Sequence, residues 1–282
     1  MIVWIVSYPK SGNTLVRSML SALISSKLYG TDGSVDLKRL SLIPQFPTYN
    51  YFKERVPENA FTDIEKLCKY WIKIQKEINS NKKINFLKTH HLRCSVNGYN
   101  FTDINNTTGV IYIVRDPRNV FTSFKNYFGY TDEKTMEAMT CETWYLSPLA
   151  EQEPKKIRIL IGSWCSNYNS WTKNNKNLLL IKYEDLINNK KKEIKKIINF
   201  IKKITPFEHT SQVINNCIHS SGFEKMKIME REGDIKLKHS NTKGDFFNLG
   251  AKNDWKKLLS NKIIEKIENK FRKEMKELGY LT

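Results

Sequence analysis

Ile2-Val3-Trp4-Ile5-Val6-Ser7 runs straight into Tyr8-Pro9-Lys10-Ser11-Gly12-Asn13-Thr14, and Leu15-Val16-Arg17-Ser18-Met19-Leu20 follows. The first six residues show no apolar–polar alternation, the pattern of a strand buried on both faces inside a parallel sheet. The next seven hold a proline, a glycine, a lysine and hydroxyls, which is turn chemistry, and the third segment starts a helix. A strand, a tight glycine-containing loop and a helix N-terminus build a cradle for an oxyanion. Backbone N–H groups and the positive helix end converge on it, and Lys10 adds a full charge. Lys10, Ser11, Gly12, Asn13 and Thr14 are therefore candidate anion ligands. The loop is not a Walker A motif, because G-x-x-x-x-G-K-[ST] is absent and the lysine precedes the glycine. An ordinary strand-to-helix turn with a surface lysine is the plainer alternative.

Further strands of the same buried type are expected at 85–89 (NFLKT), 110–114 (VIYIV) and 178–182 (LLLIK). Between them, residues 63–80 carry Ile64, Leu67, Trp71, Ile74 and Ile78 at helical spacing behind a Thr62 or Asp63 cap. Pro117 after Asp116 marks a helix start, since a first-turn proline loses no hydrogen bond. Residues 157–173, 190–203 and 254–276 read as amphipathic helices, and 230–250 as a long loop of the functional or mobile kind. Trp4, Trp71, Trp144, Trp164 and Trp171 read as core. Alternating strands and helices mean an α/β fold. The expectation is a single domain over 1–282, with a central parallel β-sheet flanked by helices and a P-loop-like nucleotide-binding architecture.

At 282 residues, with 40% hydrophobic and 27% charged side chains, the chain is far from a disordered composition. It has no apolar run near the roughly 18 residues a membrane span requires. It opens on a strand with no basic leader, so a cytoplasmic protein is expected. The formal charge of +18 points to an anionic partner. Lys outnumbers Arg by 38 to 9, and Asn and Ile, which share A- and T-rich codons with Lys, are also abundant. Arginine is the residue that reads guanine and grips phosphate bidentately, so its scarcity argues against nucleic acid and leaves a smaller anion. Cys68, Cys94, Cys141, Cys165 and Cys217 are scattered, odd in number and without a C-x-x-C pair, against a disulfide framework or a zinc site.

A second signal follows the strand at 110–114: Arg115-Asp116-Pro117-Arg118-Asn119-Val120-Phe121-Thr122-Ser123. Arg115 stands at the carboxyl end of a strand, where open α/β sheets bind ligands. Ser123 lies two turns into the next helix, in reach of the same anion. Alone, the Arg-Asp-Pro turn equally fits a structural ion pair. Together and in this order, YPKSGNT and VRDPRNVFTS resemble the 5′-phosphosulfate loop and 3′-phosphate segment of the sulfotransferase family that uses 3′-phosphoadenosine-5′-phosphosulfate (PAPS). Phe86-Leu87-Lys88-Thr89-His90 is similar to its catalytic stretch, and Gly162-Ser163-Trp164 and Lys182-Tyr183-Glu184-Asp185-Leu186 to later markers. Ser220-Ser221-Gly222-Phe223 onward resembles its adenine-side segment, with one extra glycine. Phe246-Phe247-Asn248-Leu249-Gly250 stands where the family has an Arg-Lys-Gly loop.

The resemblance implies a PAPS-dependent sulfotransferase acting on a hydroxyl, or an amine, of a small-molecule or carbohydrate acceptor, with PAPS as co-substrate and no metal. Sulfuryl transfer, by analogy with phosphoryl transfer, requires positioning, charge at the leaving oxygen and a base for the acceptor proton. Lys10 suits the leaving oxygen. His90 can be neutral at pH 7, and Lys88 lies on the same strand face. His91 faces the other way, and the resemblance selects His90. Tyr183, Ser221 and Phe223 are expected near the adenosine. Gly250 and Lys252 are expected at the 3′-phosphate with Arg115 and Ser123, because Asn248 and Leu249 replace the cationic pair; Lys243 is a more distant candidate. The family's dimer motif, Lys-x-x-x-Thr-Val-x-x-x-Glu, is echoed by Lys256 to Glu265 with Ser260 and Asn261 in the middle, which leaves monomer or homodimer open. An NTP-dependent kinase-like enzyme and a catalytically silent binding protein are the rival readings.

Overall fold

The computed structural model describes residues 1–146, 157–173, 175–233, 237, 242 and 245–282. Its centre is a four-stranded parallel sheet of β1 (Ile2–Ser7), β2 (Asn85–Thr89), β3 (Thr107–Val114) and β4 (Leu178–Lys182), in the order β2-β1-β3-β4. Ile2 to Val6 pair with Asn85 to Thr89 on one side, and Ser7 aligns with Ile113 on the other. All four strands fall where the unbroken apolar runs put them, β3 starting three residues earlier. Every residue of β1 is buried, which explains why its sequence lacks alternation.

Alternate side chains of the strands feed two cores. Trp4, Val6, Tyr112 and Val114 face one layer, with α2 (Trp71–Asn79), α3 (Pro117–Phe128), α4 (Asp132–Thr140) and α5 (Trp164–Thr172). Val3, Ile5, Ile111, Ile113 and Ile181 face the other, with α1 (Asn13–Tyr29), α6 (Lys190–Lys202) and α7 (Ser211–Ser220). α8 (Phe223–Glu232) and α9 (Asn261–Lys270) follow. Trp4, Trp71, Trp164 and Trp171 are fully buried, while Trp144 only packs against the core edge. The five thiols are free, with Cys68 and Cys217 buried.

The 63–80 expectation holds in three consecutive pieces, Ile64–Leu67, Cys68–Tyr70 and α2, with Asp63 accepting from the Glu65 N–H as the cap. Two other helices need correction. Residues 157–173 are not one helix: Ile159–Leu160 pairs with Tyr145–Leu146 as a strand, and α5 begins only at Trp164. Gly162 at φ 63° breaks the chain and Ser163 then closes a capping box with Ser166, so local capping overrides the apolar spacing. Residues 254–276 divide into Trp255–Leu258, α9 and Arg272–Glu277, because Ser260 and Phe271 leave helical geometry. The expected loop at 230–250 is helical through Glu232; 234–236, 238–241 and 243–244 lie outside the described residues. Among the described residues, no helix is long and apolar enough to cross a membrane.

Candidate active site

The carboxyl ends of the four strands converge, and each delivers a polar side chain. β1 leads into the 8–12 loop, β2 carries Lys88 and runs on to His90, β3 ends before Arg115, and β4 before Tyr183. Open parallel sheets bind their ligands at such an edge.

The loop after β1 is tight. Lys10 and Gly12 take φ values of 67° and 99°. A Cβ on Gly12 would stand 2.3 Å from Tyr183 Cδ2, so the tyrosine ring lies directly on the loop and only glycine fits beneath it. The Arg115 guanidinium packs on that ring, 4.4 Å from its centroid, and Nη1 donates to the Lys10 carbonyl at 3.0 Å. Arg115 thereby braces the loop backbone from a different strand.

The Lys10 ammonium sits between two rings, 3.9 Å from the Tyr127 centroid and 3.8 Å from that of Phe246. Burial, and secondarily Arg115, lowers its pKa to about 7, with Glu230 acting in the opposite direction. Glu230 in α8 accepts the backbone N–H of Phe246 at 2.6 Å and of Phe247 at 2.9 Å, which holds the Phe246 segment over the lysine.

The two adjacent histidines part company at the end of β2. His91 is fully buried, stacked 4.2 Å from Phe101 and edge-on to Trp71, with Nδ1 bonded to the Leu92 carbonyl at 2.6 Å. His90 is half-buried at the strand ends and its Nδ1 lies 2.7 Å from the Ser7 carbonyl. A carbonyl oxygen only accepts, so Nδ1 carries the proton and Nε2 keeps a free lone pair. Burial and then Lys88 push the His90 pKa well below the usual histidine range, with Arg17 and Lys10 adding to the effect. The ring is therefore neutral at pH 7. Asn13 Nδ2 donates to the Ile5 carbonyl and to Ser7 Oγ, both at 3.3 Å, so the loop, β1 and His90 form one hydrogen-bonded unit.

The later predicted residues are placed unevenly. Phe223 opens α8, and a Cβ on Gly250 would meet its Cζ at 2.8 Å, so these two are in contact. Ser221 is buried and donates to the Ile218 carbonyl at 2.9 Å, an engagement at the end of α7. Ser123 is half-buried on α3. Lys252 is exposed at the end of the Gly250–Lys252 turn. That turn is tied to α3, because Thr122 Oγ1 donates to Asn253 Oδ1 at 2.5 Å and Asn253 Nδ2 to the Asn119 carbonyl at 3.1 Å. Lys243 lies outside the described residues. Three residues that touch the predicted set were not singled out by the sequence, Ser7, Gln45 and Tyr127, and Glu230 acts on Lys10 through its charge and through its hold on the Phe246 segment. Each is recognisable only by a contact from a distant segment.

Two buried donors on this surface, Ser11 Oγ and Arg115 Nε, have no hydrogen-bond partner among the described residues. Buried donors rarely stay unpaired, and this pair, with Lys10 beside it, suits phosphate oxygens. The chain from residue 2 to 279 matches the sulfotransferase domain model. It belongs to the sulfotransferase family. It is 26% identical over 287 residues to mouse sulfotransferase 1 family member D1, covering 98% of this chain and 83% of the relative. A crystal structure of retinol dehydratase in complex with androsterone and inactive cofactor PAP superposes with a TM-score of 0.61 at 14% identity, covering 98% of this chain and 80% of that one. A mouse sulfotransferase complexed with PAP gives 0.57 at 20% identity, covering 97% and 84%. The fold is thus that of the sulfotransferases, and the enzyme is a PAPS-dependent sulfotransferase by family.

Proposed function

We propose that this sulfotransferase moves a sulfuryl group from PAPS to a hydroxyl of a small-molecule or sugar acceptor by in-line transfer, with His90 as general base. PAPS supplies an activated sulfuryl group on a phosphate leaving group. Lys10, Ser11, Gly12, Asn13 and Thr14 hold its 5′ end, Arg115 and Ser123 its 3′-phosphate, and Tyr183, Ser221 and Phe223 its nucleoside. The acceptor O–H gives its proton to His90 Nε2 as the new O–S bond forms. The S–O bond to the phosphate breaks, and charge grows on the oxygen that Lys10 stabilises.

The observation that carries this reading is the His90 tautomer. A neutral imidazole whose Nδ1 is committed to a backbone carbonyl presents a single basic nitrogen, and it does so within electrostatic range of Lys10 and Lys88. A binding protein has no need of that arrangement. A thermal-shift panel tests the ligand half of the proposal. The bisphosphate PAP should raise the unfolding midpoint, because it binds only the folded chain, while ATP with Mg²⁺ and a mixed oligonucleotide should do so far less. A larger shift with either of those would overturn it.

A further inference from the structure

Residues 43–46 lie along the outer edge of β2. Lys88 donates its backbone N–H to the Pro44 carbonyl at 2.9 Å, Phe46 donates to the Lys88 carbonyl at 2.9 Å, and Gln45 faces Lys88 as a parallel bridge. Paired residues project from the same sheet face. Here the result is a side-chain bond from Lys88 Nζ to Gln45 Oε1 at 2.5 Å. The same segment is pinned from α1, where Arg17 donates from Nε to the Ile43 carbonyl at 2.8 Å and from Nη2 to the Leu40 carbonyl at 2.9 Å. The helix that leaves the anion loop therefore also fixes the residue that meets Lys88.

Lys88 is only 8% exposed. Among the described residues, the titratable groups that act on it or feel it are Arg17 on α1 and His90 on its own strand end, neither of them an anion. Burial and then Arg17 hold its ammonium well below the usual lysine range. A neutral carboxamide accepts from the ammonium without cancelling its charge, as a carboxylate would. An ammonium has three N–H donors; Gln45 takes one and leaves two for the transferred group.

We infer that Gln45 is a positioning residue for sulfuryl transfer, orienting the Lys88 ammonium while leaving its positive charge intact. The inference rests on the proposed function, with Lys88, on the same strand face as His90, reaching the transferred group there. A readout free of turnover tests it first: ¹³Cε-lysine NMR titrations of the full chain, with Lys88→Met assigning the resonance. A hydrogen bond to the charged form favours that form, so Gln45→Leu should move the Lys88 midpoint further down and Gln45→Glu should move it up. The same midpoint in all three proteins would overturn the inference. Should the leucine variant fail to fold, Gln45→Met, closer in shape, takes its place. In the kinetic arm, with PAPS and 2-naphthol as probe acceptor, Gln45→Leu should lower kcat about 10-fold, the loss of one charge-assisted hydrogen bond, and leave PAP affinity unchanged. In the Lys88→Met background it should cost nothing more. Additive losses would overturn the inference. A wild-type protein that sulfates no acceptor would refute the proposed function instead, and the titration would still decide what Gln45 does to Lys88.

Discussion

His90 and His91 are chemically identical and one peptide bond apart, yet they belong to different parts of the molecule. The alternation of an extended chain sends one to the strand-end surface and the other into the ring cluster of Trp71 and Phe101. His90→Ala should lose roughly 10²-fold or more in kcat with little loss of stability. His91→Ala should keep kcat within a few-fold in the folded protein but cost about 2–5 kcal/mol, as deletion of a packed core side chain does. Steady-state rates beside denaturant melts distinguish them, and the reverse pattern would exchange their roles. Lys10 gives a pH test. Burial and Arg115 lower it to about 7, so it loses its charge as pH rises through that value. An anion binds the charged form better, so PAP affinity should fall between about pH 6 and 8.5 relative to a Lys10→Met protein. The nucleotide's own second ionisation, near ~6, acts on both proteins alike. Calorimetric Kd values that change in parallel for the two would remove Lys10 from the anion site. The opposite facing of His90 and His91 and the position of Lys10 in the turn after β1 were legible from local spacing, while the choice of His90 as base came from the resemblance and is what the His90→Ala and His91→Ala comparison tests. Gln45, Tyr127 and Glu230 lie in stretches expected to line the acceptor side, but the partner each one meets was not legible, since it is reached across a separation that no local pattern encodes.

At the scale of elements, what the sequence specified best were the four strands and the turns that leave them. An unbroken apolar run has one good home in an α/β domain, and it carries its own boundaries. Helices were less legible where capping competes with spacing, as at Gly162-Ser163 and Ser260. The Gly250–Lys252 turn shows the same limit for function. It is anchored to α3 through Asn253, on the helix that also bears Ser123, while Asn248 and Leu249 bring no charge. Lys252, at the end of that turn, is the cation we assign to the 3′-phosphate. Lys252→Ala should weaken PAP binding by at least ~10-fold and barely change the affinity of adenosine 5′-phosphosulfate, which lacks that phosphate. Equal losses for the two ligands in isothermal titration would leave Arg115 as the main cation there and Lys252 as surface charge.

For the molecule as a whole, one sheet does two jobs. Its interior is covered on both faces, and its carboxyl edge gathers residues from segments about 100 positions apart. The far C-terminus closes the same edge. Arg118 pairs with Asp116 at 2.7 Å and with Glu268 at 2.6 Å, and also donates to the Tyr280 carbonyl at 3.0 Å, while Tyr280 Oη donates to Glu184 at 2.8 Å. Glu184 in turn accepts the Asp116 N–H at 3.0 Å, next to Arg115. This closure fits the spread of the resemblance over nearly the whole chain: four of its motifs follow the carboxyl ends of the sheet strands, and the later ones lie at helix starts and turns that pack against them. The central claim is sulfuryl transfer with His90 as base, and the most direct measurement is mass spectrometry of a reaction of PAPS with a panel of phenols, amines and sugars. The account predicts a sulfated acceptor and PAP in equal amounts with wild-type protein, and a rate lower by about 10²-fold or more in His90→Ala. PAP release without any sulfated acceptor, or full activity in His90→Ala, would contradict it.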